Sequence, residues 1–534
     1  MKESHGPGDP PGEKQASDPT AAQVEVQEFL ESRVVRKRLF PRAILVGVAS
    51  GAVAAAFRVG LDYSEILRQR IMHAVPVNSI ALAIAAMAIA TAGTWISLNI
   101  GRMDKDAGGS GIPHMKAVLE GHSSMRWARL IAVKFSAALV AIGSGLALGR
   151  EGPTVQMGGA TGLAVADLTG ATGRERRALA AAGAGAGLAA AFNAPLAGVT
   201  FVLEELQRDF QPVVFGAALL SAAIATVISQ LASGQASAFV VPVIPPPSLA
   251  FIPVFVVIGA ISGLLGILFN RGLLNSSSLI GKLRAKSFVL VSLVVGLVVG
   301  AAFLFSPLLL GGGHGLTEAA VGGQILFLPA VVFLVVRLFL VHISYASGVP
   351  GGIFAPLLSL GALLGVVIFK GSAFIFPTGP SVAACAVAGM CGLFSGVVRA
   401  PLTGIILIAE MTGSYDMLLP LLASAFTAYA VAEGLRDTPI YEALLQREAL
   451  KKGWNLEGGE LMTQEFEIKS GSRFDGKLLR NLGLPDGVLV ILCRSEGKEF
   501  VPRADTLLHE HMRIVVATSS SSGLREVKDG TQGG

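Results

Sequence analysis

Glu151 stands in the run Gly149-Arg150-Glu151-Gly152-Pro153, with apolar sequence around it. A carboxylate in sequence apolar enough to lie in a bilayer is costly there and marks function by default. Two other runs are built the same way: Gly109-Ser110-Gly111-Ile112-Pro113 and Gly351-Gly352-Ile353-Phe354-Ala355-Pro356. Proline suits the first helical turn, where its missing N–H is not needed, and glycine lets the chain arrive from an unwound conformation. Each run therefore predicts the start of a helix. Helix N-termini present unpaired N–H groups and partial positive charge, which holds an anion without a full cation beside it. Ser110, Gly111, Ile112, Arg150 and Gly152 are the candidate anion-binding residues of the first two runs.

An ionised Glu151 satisfies the same donors as a small anion, so the two compete for one place. Protonation removes the charge and releases the side chain, which couples anion movement to proton movement. The bland alternative is an ion pair with Arg150, but successive residues of a helix do not face each other. Ser110 could orient a donor toward an anion or simply cap its own helix. Both readings stand.

An internal repeat separates scaffold from chemistry. Ser144, Gly145, Gly149, Pro153 and Gly158 recur 203 residues later as Ser347, Gly348, Gly352, Pro356 and Gly361. Gly183, Ala194, Pro195, Leu196, Gly198 and Glu204 recur 206 residues later as Gly389, Ala400, Pro401, Leu402, Gly404 and Glu410. Repeats broken by Gly and Pro at matching positions point to a transporter whose site lies between two halves. Glu204 is matched and reads as a structural acid used twice. Glu151 falls opposite Phe354 and Glu205 opposite Met411, so these two acids break the symmetry. Glu205 is the candidate inner proton relay; its alternative is a solvated helix-end acid paired with Arg208.

The elements that position these residues must cross a membrane. Of 534 residues, 52% are hydrophobic and 15% charged, which a soluble domain rarely shows. Residues 74–101, 178–203, 210–270, 287–317, 338–369 and 371–398 contain no Asp, Glu, Lys or Arg, and each can supply at least one span. Several are too long for one crossing and read as paired or broken helices. The 65 glycines point to unwound backbone, tolerated at membrane depth only when buried in protein or lining a wet cavity. Arg33, Arg36, Lys37 and Arg38 precede the first apolar segment and place the N-terminus in the cytoplasm. The net charge of +5 fits this bias and needs no nucleic acid.

The expected fold is an all-α polytopic membrane protein, an inverted repeat of tilted and broken helices, followed by a small α+β domain. The organisation predicted is a disordered polar tail at 1–32, a transport domain at 33–448, a linker at 449–461, a cytoplasmic domain at 462–520 and a disordered tail at 521–534. In the small domain, 474–482 predicts a short helix, while 488–493 and 513–517 predict strands. Cys385, Cys391 and Cys493 have no metal-ligand spacing and are expected as free thiols. His114 and His314 also lack it, and no cofactor is expected. Lys134 reads as a snorkelling lysine or a source of positive potential. A paired-Asp pattern, a His-Glu-x-x-His motif and a nucleophile motif are all missing, so an enzyme is not expected.

The three runs, with Ala189-Ala190-Ala191-Phe192-Asn193-Ala194-Pro195-Leu196-Ala197-Gly198 and the segment RAPLTGIILIAEMT at 399–412, resemble the CLC family of chloride channels and proton-coupled anion exchangers across roughly residues 40–448. The resemblance implies a homodimer with an anion pathway in each subunit. It implies that Ser110 and Tyr441 hold a central anion through hydroxyls, that the backbone N–H groups of Ile353 and Phe354 complete that site, and that Glu151 is the external gate. Glu205 matches the internal proton-transfer glutamate of the family's exchangers, which favours chloride/proton exchange over a passive chloride channel. Ser110 resembles chloride-type members, since nitrate-selective relatives tend to carry proline there. The C-terminal segment resembles the regulatory domain of potassium-transport proteins and implies an unidentified ligand or a dimer contact.

Overall fold

The computed structural model describes residues 21–75, 79–208, 212–234, 239, 241–242, 244–372, 379–452, 462–485, 487–495, 498–518 and 521–531. It divides into two compact units, 1–445 and 446–534. The division falls inside the helix Ile440–Lys452, three residues before the boundary expected at 448. Residues 453–461, most of the expected linker, lie outside the described residues, as do residues 1–20 of the expected tail. Residues 21–32 continue into the long helix Ala21–His73, so the sequence reading ended the N-terminal tail too late.

Among its described residues, the first unit is built of helices joined by turns and short loops. Among the described residues, eight helices are long and apolar enough to cross a membrane, from Lys37–His73 to Tyr415–Gly434. Leu231, Leu268, Leu297 and Phe339 are among the large apolar side chains turned outward, as expected where the solvent is lipid.

The repeat is physical. The helix Glu151–Leu168 packs on Gly173–Phe192, and Phe354–Ser372 packs on Val382–Val398. A Cβ on Gly158 would lie 2.2 Å from the Gly183 carbonyl oxygen, and one on Gly361 would lie 2.4 Å from that of Gly389. Gly162 meets Leu179 in one half as Gly365 meets Cys385 in the other, each at 2.1 Å. Much of the glycine is therefore explained by helices in backbone contact, the small-residue packing that substitutes for hydrophobic drive in membranes. The sequence reading attributed it to unwound pathway backbone. The C-caps match too: Asn193 at φ 54° and Arg399 at φ 67° end the equivalent helices in the left-handed region.

Glu204 and Glu410 tie the halves together reciprocally. The Glu204 carboxylate accepts from Leu402 N (3.1 Å), Thr403 N (2.7 Å) and the Thr403 hydroxyl (2.7 Å) at the start of Pro401–Thr412. The Glu410 carboxylate accepts from Leu196 N (3.1 Å) and Ala197 N (2.8 Å) at the start of Pro195–Phe201. The acid near the end of each helix caps the start of the other. Two helices can do this only when antiparallel and related by a two-fold axis, which makes the repeat inverted.

The second unit holds a four-stranded antiparallel sheet of β1 (Met462–Glu467), β2 (Val488–Ser495), β3 (Lys498–Phe500) and β4 (Arg513–Thr518), in the order β1-β4-β2-β3. Ile514 and Val516 alternate inward on β4 against Phe466, Phe474 and Val490. The helix expected at 474–482 is a single 3₁₀ turn, Leu479–Asn481, because Gly476 and Gly483 adopt positive φ on either side. The C-terminal segment expected to be disordered is the helix Ser521–Thr531. It buries Val527 in the core, and Gly530 lets the Phe474 ring approach to where a Cβ would clash. Cys493 is buried and its thiol pushed up to about 11 by that burial, so it stays protonated near neutrality.

Candidate functional site

The three glycine-rich runs converge through their backbones. Gly149 and Gly352 exchange both hydrogen bonds, N–H to carbonyl, at 2.8 and 2.7 Å, and Gly351 N donates to Gly109 O at 3.0 Å. A Cβ on Gly152 would sit 2.8 Å from Ser110 O, and one on Gly352 only 2.7 Å from Gly152 N. Only glycine permits that approach. The helices Ile112–Leu119, Glu151–Leu168 and Phe354–Ser372 thus begin beside one another, and their free N–H groups share one small region. Lys134 fixes this region from behind: it is fully buried, and its ammonium donates to Ala107 O (2.9 Å) and Gly109 O (2.8 Å). It does not snorkel.

Glu151 opens its helix and is fully buried. Its Oε2 accepts from Ala355 N at 3.4 Å, in the first turn of Phe354–Ser372, and its Oε1 has no hydrogen-bond partner. The carboxylate of one half therefore sits on the helix N-terminus of the other. Arg150 does not neutralise it by a direct contact; the Arg150 Nε is buried without a partner.

Ser110 is buried, and its Oγ accepts from Ile112 N at 3.3 Å. Ser110 thus closes a local turn one residue before the N-cap, Gly111, rather than capping the helix itself, and its hydroxyl proton remains available to a second acceptor. Gly111 makes the turn at φ 83°. Tyr441 is fully buried with its hydroxyl unpaired, an arrangement that costs about 1–3 kcal/mol unless the group donates to something. Its ring lies 5.9 Å from that of Phe354, which also packs edge-on against Phe201 (5.6 Å) and Phe394 (4.9 Å). Ile353 and Phe354 are themselves fully buried. Every residue named from sequence for this site lies in the one unit, and Tyr441 is within electrostatic reach of both Glu151 and Glu205.

Glu205 is neither solvated nor paired with Arg208. The helix Pro195–Phe201 widens into a π turn over Val202–Leu206, with Gln207 N bonded to Val202 O at 2.8 Å. This extra residue per turn lets adjacent acids face different ways: Glu204 reaches the other half while Glu205 turns into the protein. The Glu205 side chain, 4% exposed, accepts from Lys116 Nζ at 2.9 Å, and Arg208 pairs with Glu442.

Residues 92–433 match the family described as voltage gated chloride channel, and 463–529 match the TrkA-C domain. The H(+)/Cl(-) exchange transporter ClcA of Vibrio vulnificus is 37% identical over 417 residues, covering 76% of this chain and 88% of that protein. The chain belongs to the voltage gated chloride channel, or CLC, family. The ClcA of Yersinia pestis is 34% identical over 420 residues, covering 77% of this CLC chain and 87% of its own length. A solved slow cyanobacterial Cl-/H+ antiporter superposes with a TM-score of 0.74 at 34% identity, covering 78% of this chain and 99% of that one.

Lys116 is the site residue of this CLC chain that sequence reasoning missed. It is a lysine in an eight-residue helix whose other members are all buried, and that isolation was a readable signal. Its partner, 89 residues away, was not.

Proposed function

We propose that the chain is a secondary transporter exchanging chloride for protons across a membrane, with Glu151 as the carboxylate that competes with the anion. The observation that carries this reading is the Glu151 side chain lying on Ala355 N at a helix N-terminus. A chloride would be stabilised there by the same donors. Ionised, Glu151 occupies the position; protonated, it loses the attraction of the helix dipole and leaves. Ser110 and Tyr441 supply hydroxyls to the anion, and the backbone N–H groups of Gly111, Ile112, Gly152, Ile353 and Phe354 supply the rest. Arg150 adds positive potential without a direct contact.

Glu205 is the inner relay of protons, buried and held by Lys116. The similarity to exchange transporters supports this over a passive channel. Chloride and protons are the transported ions, and no cofactor enters the scheme. The working arrangement is a homodimer in a bacterial inner membrane with both termini cytoplasmic, and the TrkA-C domain is the seat of regulation by a ligand.

The test is uphill proton movement driven by a chloride gradient in proteoliposomes. Glu151→Gln is expected to abolish proton coupling while chloride flux persists, and Glu205→Gln to stop protons with chloride flux retained. A parent protein that passes chloride without moving protons would make it a channel.

A further inference from the structure

Glu205 does not hold its cation alone. Lys116 Nζ lies 2.9 Å from Glu205 Oε1 and 3.7 Å from Glu442 Oε2, and Arg208 Nη2 lies 3.4 Å from the same Glu442 oxygen. Along this row Glu205 and Lys116 are both buried, at 4% and 2% side-chain exposure, and exposure then rises to 27% for Glu442 and 57% for Arg208. A charge ladder thus leads from the buried acid to solvent. Two of its members come from the elements that present the site's hydroxyls. Lys116 is on the helix that follows Ser110, and Glu442 is the residue after Tyr441.

We propose that Lys116 is a positioning residue for proton transfer, a counter-ion shared by Glu205 and Glu442 that sets how readily Glu205 takes up and returns protons. A nearby cation favours the charged form of a carboxylate and a nearby anion disfavours it. Lys116 therefore favours the ionised form of Glu205 against its burial, while Glu442, itself paired with Arg208, competes for the ammonium. The groups facing Glu205 are Lys116, Arg208, Glu442 and the Tyr441 hydroxyl, with Glu120 and His122 acting on the same cluster. The ammonium is placed here as a donor to Glu205 and a charge beside Glu442. The inference rests on Glu205 being the inner relay.

The experiment measures chloride-driven proton uptake against pH in proteoliposomes of the full chain, for the parent, Lys116→Met, Lys116→Arg, Glu442→Gln and Glu205→Gln. Loss of the cation lets Glu205 hold its proton to higher pH, so Lys116→Met moves the midpoint of the profile up by about one unit or more. Glu442→Gln removes the competitor and moves it down, and Lys116→Arg returns it to the parent value. If Lys116→Met does not fold, the downward shift in Glu442→Gln decides. Unmoved midpoints in these variants, with coupling lost in Glu205→Gln, overturn the role of Lys116 alone. Coupling retained in Glu205→Gln overturns the relay reading and this inference with it.

Discussion

Glu410→Ala removes the two N–H bonds, at 3.1 and 2.8 Å, that start the helix Pro195–Phe201. Hydrogen bonds to charged groups contribute about 1.5–3 kcal/mol each, but the measured cost of losing an N-cap is about 0.5–2 kcal/mol. The Glu410 side chain is half-buried, so water replaces part of what is lost, and we expect about 2 kcal/mol, the upper end of the cap range. Glu204→Ala also strands the Thr403 hydroxyl, adding about 1 kcal/mol. A domain of 150–250 residues shifts by about 2–4 °C per kcal/mol and a larger unit by less, so Glu410→Ala should lower Tm by about 3 °C and Glu204→Ala by more. The glutamine variants keep one acceptor oxygen and should fall between alanine and parent. Thermal unfolding of the purified protein, followed by tryptophan fluorescence and by loss of the monodisperse chromatographic peak, reads this order. The capped helix runs on into the turn bearing Glu205, so Glu410→Ala should also slow coupled proton movement more than chloride binding. Alanine variants within about 1 °C of the parent, or glutamine variants as damaged as alanine, would refute reciprocal capping.

Gly352→Ala places a Cβ 2.7 Å from Gly152 N and 3.2 Å from Gly149 O. It should weaken chloride binding at least tenfold in isothermal titration, while Gly101→Ala, with nothing within 4 Å, should not; parent affinity in Gly352→Ala would remove the backbone bridge from the site. Deleting the residues after 461 should leave exchange in proteoliposomes intact, because the TrkA-C unit has a core of its own. Loss of folded protein on that deletion would make the unit structural.

The site's frame was legible because backbone contact leaves a mark in sequence. Gly149, Gly152 and Gly352 have to be glycine, and the same constraint in both halves made the repeat visible. Glu151 was legible because a carboxylate in apolar sequence needs a reason. What sequence did not carry was pairing at a distance. Glu205 and Arg208 are near neighbours in the chain, yet the π turn sends them to different partners, and a one-residue widening has no local signature. The helix Ser521–Thr531 was missed for another reason. Its inward face is little more than Leu524 and Val527 in a polar, glycine-containing segment, and it is ordered by the sheet core it covers.

The inverted repeat also decides the role of cations that sequence left open. Lys134 and Arg337 occupy equivalent helices, whose C-caps are Ser144 and Ser347. Lys134 donates to the Ala107 and Gly109 carbonyls, ahead of a helix whose N-cap is Gly111 at φ 83°. Arg337 donates to the Leu309 carbonyl, ahead of a helix whose N-cap is Gly313 at φ 91°. The same buried cation thus anchors the same glycine turn twice, which is what a scaffold residue does. Lys116 behaves differently. Counting from those two N-caps, its counterpart is Glu318, a charge of opposite sign. Lys116, opposite Glu318, joins Glu151, opposite Phe354, and Glu205, opposite Met411, as a position where the two halves differ in charge. Charge differences between the halves of an otherwise symmetric frame are what a one-sided proton route requires. Exchanging Lys134 for Met should therefore unfold the Gly109 turn and harm chloride binding, whereas the same change at Lys116 should act first on the proton.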